Sequence, residues 1–373
     1  MVRQLGILGG GQLGRMLVQA GLDWNIPFVI LDPDPHAPCA GVSPFRQGSL
    51  TDYDTVMSFG KECDVLTVEI EHVNTRALFD LAASGVQVYP PPAALALIQD
   101  KREQKLFYQK NGIPTAAFHL TETRQDVARL VNFLPAVHKL GKAGYDGRGV
   151  HILRSEADLP AAFDAPGVLE QWVDYEKEIS VIVARRQSGE VVTYPATEMV
   201  FHPTANLVEF LFSPAHLTAG IARKADQVAR LVADKLGIVG LLAVEMFVTR
   251  DNQVLVNEVA PRPHNSGHQT IEGNRTSQFH QHLRAILNLP LGSTETLLPS
   301  AMVNLLGEPG HEGVAVYTGL NDVLAIPGIY VHLYGKKYTK PFRKMGHITI
   351  TDPVMESLKK KANFVKQTLR VTT

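Results

Sequence analysis

Residues 4–8 form a short apolar run that stops at Gly9-Gly10-Gly11, the pattern of a buried strand entering a tight turn. Leu13, Met16, Leu17 and Ala20 then recur at helical spacing, with Gly21 placed to cap the helix. Apolar runs at residues 27–31, 63–69 and 86–89 read as further strands, with a helical stretch over 75–84. Strand and helix in alternation predict a parallel, doubly wound first domain, closed by Pro90-Pro91-Pro92.

Beyond residue 100 the texture changes. Residues 101–111 predict a charged helix ending at Gly112, and residues 135–140 and 149–153 predict two strands flanking a glycine-rich loop. A third region starts near Glu170, with long strands around Ser180, Val191, Leu241 and Val254. Residues 222–236 predict a helix carrying Val228, Leu231, Val232 and Leu236 on one face. The pattern is α/β followed by α+β, without repeats or low-complexity tracts.

At 373 residues and 45% hydrophobic content the chain has ample apolar surface for folded domains, which excludes disorder. With 36 basic and 37 acidic residues, no overall field draws it to nucleic acid, and anion binding must come from local clusters. Cys39 and Cys63 alone make neither a disulfide framework nor a four-cysteine zinc site, so a reducing cytosol is expected. The longest apolar stretch, residues 238–248, is too short for a bilayer and contains Glu245. Glycines and Arg15 interrupt the N-terminal apolar run, which therefore reads as mature structure rather than a signal peptide.

Five segments carry chemistry. Gly9, Gly11 and Gly14 match G-x-G-x-x-G, and Asp32 follows the next strand, as in a dinucleotide site. No second mononucleotide half or hydride-transfer site follows, so this turn better suits a substrate phosphate. Gly141-Lys142-Ala143-Gly144-Tyr145-Asp146-Gly147-Arg148-Gly149, preceded by Lys139, lacks the G-K-[ST] ending of a Walker motif. A hairpin tip explains its glycines but not the enclosed Tyr145-Asp146 pair; a nucleotide lid explains both. The runs 241–248 and 254–260 predict a hairpin turning at Asp251-Asn252, with Arg250 facing Gln253 and Glu245 opposite Glu258. Their β-carbons would then lie about 4.5–5.5 Å apart, with a repulsion of roughly 3 kcal/mol that a cation relieves. An odd-length loop would break this register. Arg262, His264, Asn265, Ser266 and His268 then crowd one stiff loop, and a basic hairpin carries Lys336, Lys337, Arg343 and Lys344.

Together these segments resemble the N5-carboxyaminoimidazole ribonucleotide synthetases, ATP-grasp enzymes of purine synthesis, nearly end to end. The likeness rests on Gly9-Gly10-Gly11-Gln12-Leu13-Gly14-Arg15, the 144–149 loop, the loop over residues 257–268, Thr276-Ser277-Gln278-Phe279 and the basic block from Tyr334 to Lys344. The 257–268 loop is the most specific of them. The resemblance implies an ATP-grasp fold of three domains: Rossmann-like over 1–99, a lid over 100–169, and a C-terminal domain over 170–373 with a small basic subdomain from about 295.

It implies ATP and Mg2+ as cofactors. Lys101 and Lys139 would meet ATP phosphates, and Gly144, Tyr145, Asp146, Gly147, Arg148, Gly149 and Val150 would form the lid. Glu170, Gln171, Trp172 and Val173 would be the adenine hinge, with Glu178 on the ribose and His202 also in the nucleotide site. Glu245 and Glu258 would carry magnesium with Asn257 beside them, although strict alternation points Asn257 away unless the strand bends. Gly11, Gln12, Leu13, Arg262, His264, Asn265 and Ser266 would line the ribonucleotide side. Tyr145, Asp146, Arg148, His268, Lys336, Arg343 and Lys344 would hold ribonucleotide and bicarbonate for catalysis. Lys101 in place of arginine, Ala143 in place of glycine and Gln269 in place of tryptophan depart from the family pattern and bear on ATP affinity, not reaction type. The family implies a homodimer. The alternatives are a formate-dependent glycinamide ribonucleotide transformylase and, resting on the first glycine motif alone, an NAD-binding oxidoreductase or sensor.

Overall fold

The computed structural model describes residues 2–142, 149–202 and 207–373. The first sheet has β1 (Leu5–Leu8), β2 (Phe28–Asp32), β3 (Phe45–Gln47), β4 (Val65–Val68) and β5 (Gln87–Tyr89) in the order β3-β2-β1-β4-β5. All its pairs are parallel. The chain steps outward from β1 to β3 and then returns to the other side of β1, so the switch-point crevice opens between the ends of β1 and β4. Gly21 does not cap the first helix, which runs Gln12–Leu22. It lies inside the helix, and glycine is needed there because a β-carbon would sit 2.4 Å from the Phe28 ring of β2. Pro92 opens the helix Pro92–Ile98, as its missing N–H permits at a first turn.

The second sheet is antiparallel, with β6 (Phe118–Thr121), β7 (Ala136–Leu140), β8 (Val150–Leu153) and β9 (Gly167–Gln171) in the order β6-β9-β7-β8. β7 and β8 are the expected strands on either side of the glycine loop. Lid residues Gly144, Tyr145, Asp146, Gly147 and Arg148 lie outside the described residues.

The largest sheet contains β10 (Tyr175–Arg185), β11 (Val191–Thr193), β12 (Thr197–Phe201), β13 (Val208–Ser213), β14 (Gly240–Thr249), β15 (Val254–Ala260) and β16 (Ser300–Leu306), and continues into strands Lys344–Thr351 and Ile329–Leu333. Ile179, Val181 and Val183 of β10 and Leu242, Val244 and Met246 of β14 pack on Ile221, Ala225, Ala229 and Val232. Those four residues belong to the helix Ala219–Lys235, which starts earlier than its apolar face because the Thr218 side chain accepts the Ile221 N–H. Tyr108 joins the same core from the charged helix Lys101–Lys110. β13 pairs with β16, so the sheet runs on past residue 295, while Val303, Ile348, Ile350 and Leu358 form a separate apolar cluster there.

Candidate active site

The hairpin β14–β15 brings Glu245 opposite Glu258, by a different route from the two-residue turn expected at Asp251-Asn252. Arg250 does not face Gln253. Instead the Thr249 N–H donates to the Gln253 carbonyl at 3.0 Å around a three-residue loop, in which Asn252 takes φ 63°. That odd loop pairs Val248 with Val254 and Met246 with Val256. The register then shifts back, because Asn257 is an extra residue between Val256 and Glu258. One bulge thus restores the facing carboxylates and also turns Asn257 to their side. Asn257 Oδ1 accepts from Lys139 Nζ at 2.9 Å, and its Nδ2 donates to Glu178 Oε1 at 3.4 Å.

Glu245 is buried while Glu258 opposite it is exposed, and the ionisation of Glu245 reflects that burial. Burial, then Glu258, then Glu178 hold Glu245 well above the ordinary carboxyl range. Burial and Glu258 push Glu178 up to about 7. Like charges gathered with too little cation nearby suit a divalent ion. Among the described residues no group of three or more His, Cys, Asp or Glu side chains is disposed to hold a metal alone. Two carboxylates completed by phosphate oxygens and water are the magnesium environment that remains, and the Glu245–Glu258 pair fits it.

Cations converge from the other side. Lys139 Nζ on β7 meets Glu170 Oε1 on β9 at 3.1 Å, Lys105 Nζ meets Glu170 Oε2 at 2.9 Å, and Lys101 Nζ lies 3.7 Å from Glu258. Burial alone would raise the Glu170 carboxyl, but Lys139 and Lys105 hold it below its usual value. Just after Glu170, the Gln171 and Trp172 N–H groups donate to the carbonyls of Ala117 and Pro135.

The loop after β15 is held by one amide. Gln278 Oε1 accepts the His264 N–H at 2.9 Å. Gln278 Nε2 donates to the His264 carbonyl at 2.7 Å and lies 3.0 Å from His268 Nδ1. Gly267 is required there, since a β-carbon would stand 2.5 Å from Gln278 Oε1. His264 Nε2 reaches Glu245 at 3.4 Å, and Asn265 exchanges amide hydrogen bonds with Asn304 of β16. Ser266 Oγ donates to Ser180 Oγ at 2.7 Å. His268 is fully enclosed, and burial drives its imidazole down to about 3.

At the switch-point crevice the Gly10 N–H donates to Asp32 Oδ2 at 2.6 Å and the Leu13 N–H donates to Glu69 Oε1 at 3.2 Å. Asp32 therefore braces the turn, which removes the ribose-binding role a dinucleotide site would give it. Glu69, just after β4, carries no signal in the sequence that ties it to the glycine turn. Burial pushes it up to about 7 against the pull of Arg262 and the Leu13 N–H. The first turn leaves the amides of Gly11 and Gln12 without intrahelical partners by geometry. Arg262 pairs with Glu71 at 2.9 Å, and Lys336 Nζ donates to the Lys344 carbonyl at 2.7 Å. Gly335 comes close to Arg15, 2.9 Å from its Nη1 to an added β-carbon, so the basic hairpin docks beside the glycine turn. Arg343 Nη1 turns to the Tyr338 carbonyl at 2.9 Å on the exposed side. His202 stands edge-on to Phe342 and lines a cavity of about 210 Å3 with Glu209, Asn304 and Lys366.

The chain matches the ribonucleotide synthetase preATP-grasp domain over residues 2–99, the ATP-grasp domain over 106–279 and the phosphoribosylaminoimidazole carboxylase C-terminal domain over 300–361. It is 38% identical to the N5-carboxyaminoimidazole ribonucleotide synthase of Bacillus subtilis, across 92% of this chain and 90% of that one. It belongs to the N5-carboxyaminoimidazole ribonucleotide synthase family. The chain is accordingly an ATP-grasp, ATP-dependent ligase. The crystal structure of the synthetase from Thermotoga maritima superposes with a TM-score of 0.91 at 40% identity, covering 99% of both chains. The Aspergillus clavatus synthase in complex with ADP and 5-aminoimidazole ribonucleotide superposes at 0.89 and 36% identity, covering 98% of both. The synthase-family chain also spans 69% of the phosphoribosylaminoimidazole carboxylase of Ogataea methanolica and 65% of that of Vigna aconitifolia, at 38% identity to each.

Proposed function

We propose that this chain catalyses the ATP- and bicarbonate-dependent carboxylation of 5-aminoimidazole ribonucleotide to N5-carboxyaminoimidazole ribonucleotide, with release of ADP and phosphate, in purine biosynthesis. The observation that carries the reading is the 3.4 Å contact of His264 with Glu245. It seats the 262–268 loop against the carboxylate pair, so a ribonucleotide and a polyphosphate meet at one point.

A bicarbonate oxygen attacks the γ-phosphorus, the bond to the β,γ-bridging oxygen breaks, and ADP leaves carboxyphosphate behind. Carboxyphosphate divides into carbon dioxide and phosphate, and the exocyclic amine of the ribonucleotide adds to the carbon dioxide and gives up a proton. Lys139 and Lys101 oppose the phosphate charge. Magnesium on Glu245 and Glu258 would add the remaining counter-charge. Adenine sits against residues 170–173, where the committed Gln171 and Trp172 amides leave Val173 as the N–H that reads it, and Glu178 takes the ribose. His202 borders the nucleotide by motif.

The ribonucleotide lies between Gly11, Gln12, Leu13, Arg262, His264, Asn265, Ser266 and His268, with Lys336, Lys344 and Arg343 on its phosphate side. At about 3 the His268 ring is neutral at working pH and donates a hydrogen bond rather than a charge. Tyr145, Asp146 and Arg148, which lie outside the described residues, are assigned by motif to bicarbonate and the amine. Water exclusion is a chemical need here, because carboxyphosphate hydrolyses. The enzyme works in the cytosol as a homodimer, a reading supported by the family likeness, and the two buried free cysteines suit a reducing compartment.

The test is ADP release from Mg-ATP and bicarbonate with and without aminoimidazole ribonucleotide. Stimulation with an acid-labile carboxylated product is expected. Release only with glycinamide ribonucleotide and formate would replace the substrate, and silence in both would remove the reading.

A further inference from the structure

A buried ammonium that touches no proposed substrate sits behind the nucleotide site. Lys105 is 2% exposed, on the inner face of the helix Lys101–Lys110. Its Nζ lies 2.9 Å from Glu170 Oε2 and donates to Thr115 Oγ1 at 2.6 Å. Thr115 Oγ1 in turn donates to the Val256 carbonyl at 2.8 Å, and the Val256 N–H donates to the Pro114 carbonyl at 2.7 Å. Val256 is the residue just before the bulged Asn257. Asn257 accepts from Lys139, and Lys139 returns to the second oxygen of Glu170. The bonds close a ring through Lys105, Glu170, Lys139, Asn257, Val256 and Thr115, joining one helix, two strands of the second sheet and β15.

The charges in this ring are unequal in their uses. Glu170 is shared between two ammonium groups, one on each oxygen. With Lys105 charged, the group of three carries one net positive charge. Without it, Glu170 and Lys139 cancel, and a phosphate approaching Lys139 meets a neutral pair. We propose that Lys105 is a positioning residue of the nucleotide site: it neutralises Glu170, and so leaves the Lys139 ammonium available to the ATP phosphates. Burial pulls Lys105 down to about 8 while Glu170 opposes that pull, so it remains mostly protonated at neutral pH. Helix and lid are thereby coupled to phosphate binding through charge, not through contact. The inference rests on Lys139 facing phosphate in the proposed function.

Lys105→Gln keeps hydrogen-bond donors toward Thr115 and Glu170 but removes the charge. The expected result, by calorimetric titration with Mg-ADP, is affinity at least tenfold weaker, with KM for ATP rising more than kcat falls. Lys105→Arg, which keeps the positive charge beside Glu170, should bind Mg-ADP within about threefold of wild type. It carries the test by itself if Lys105→Gln fails to fold. Affinity within twofold of wild type for Lys105→Gln, or Lys105→Arg below about one tenth of wild-type affinity, would overturn the proposal. Wild-type protein that does not bind Mg-ADP would overturn the nucleotide reading with it, which separates the two failures.

Discussion

Replacing Glu245 with glutamine separates the charge of the carboxylate pair from its packing. Glu245 is 9% exposed, stands opposite Glu258 and is held well above the ordinary carboxyl range, by burial first and then by Glu258 and Glu178. Two carboxylates about 5 Å apart repel by roughly 3 kcal/mol at an effective dielectric near 20. That figure bounds what the amide relieves, because the acid avoids part of the repulsion by keeping its proton. The sign follows from proton counting. Below the ordinary glutamate value of 4.5 the carboxyl is protonated in folded and unfolded chains alike, and the substitution changes little. Above it the unfolded chain ionises freely while the folded one resists, so wild-type stability falls as pH rises toward the folded value. Thermal melts of metal-free protein should therefore show Glu245→Gln gaining on wild type from pH 5 to neutrality, by a few degrees at most. Mg-ADP should reverse the order, since only wild type keeps both carboxylates for the cation. Turnover should fall by about a hundredfold or more. A melting difference independent of pH without metal, or equal stabilisation of both proteins by Mg-ADP, would refute the reasoning.

Three further outcomes follow from other positions. Glu69 is raised to about 7 from 4.5, chiefly by burial, so between those values wild-type stability declines with rising pH. Glu69→Gln should flatten that part of the urea-unfolding profile, and an unchanged slope would show that Glu69 titrates normally. Gly11→Ala places a β-carbon 2.3 Å from Glu69 Oε1. It should cut ribonucleotide-stimulated ADP release about tenfold or more while Mg-ADP still stabilises the protein; loss of both would mean a misfolded first domain. Thr67→Val takes the 2.9 Å partner from His282 Nε2, whose Nδ1 already accepts the Leu241 N–H. A buried donor left unsatisfied costs about 1–3 kcal/mol, read as a lower denaturation midpoint, and an unmoved midpoint would place water at that ring.

Much of the fold is legible in the chain because its elements follow local patterning. The parallel first sheet comes from apolar runs alternating with helical spacing, and the large sheet from long apolar strands around Ser180, Leu241 and Val254. Departures arise where a neighbour outside the local window decides. Gly21 looks like a cap until Phe28 is placed against it, and the bonds of Gln278 to His264 and His268 form only when the 264–268 loop folds over it. Lys105 reads as one more charge on a polar helix, since periodicity does not say which lysine faces inward.

The residue types needed for the site are set by the sequence alone: paired glutamates in apolar strands, glycines at a strand end, lysines beside a glycine loop, and a loop dense in imidazole and amide. Their facing is a tertiary result. Glu245 and Glu258 oppose each other because a three-residue loop shifts the ladder by one and the bulge at Asn257 shifts it back. The bulge is held in turn by Pro114 and Thr115, which lie some 140 residues earlier. Side-chain facing in a strand has a period of two, so a single inserted residue reverses it. Only a bond from elsewhere in the fold fixes which residue is the extra one.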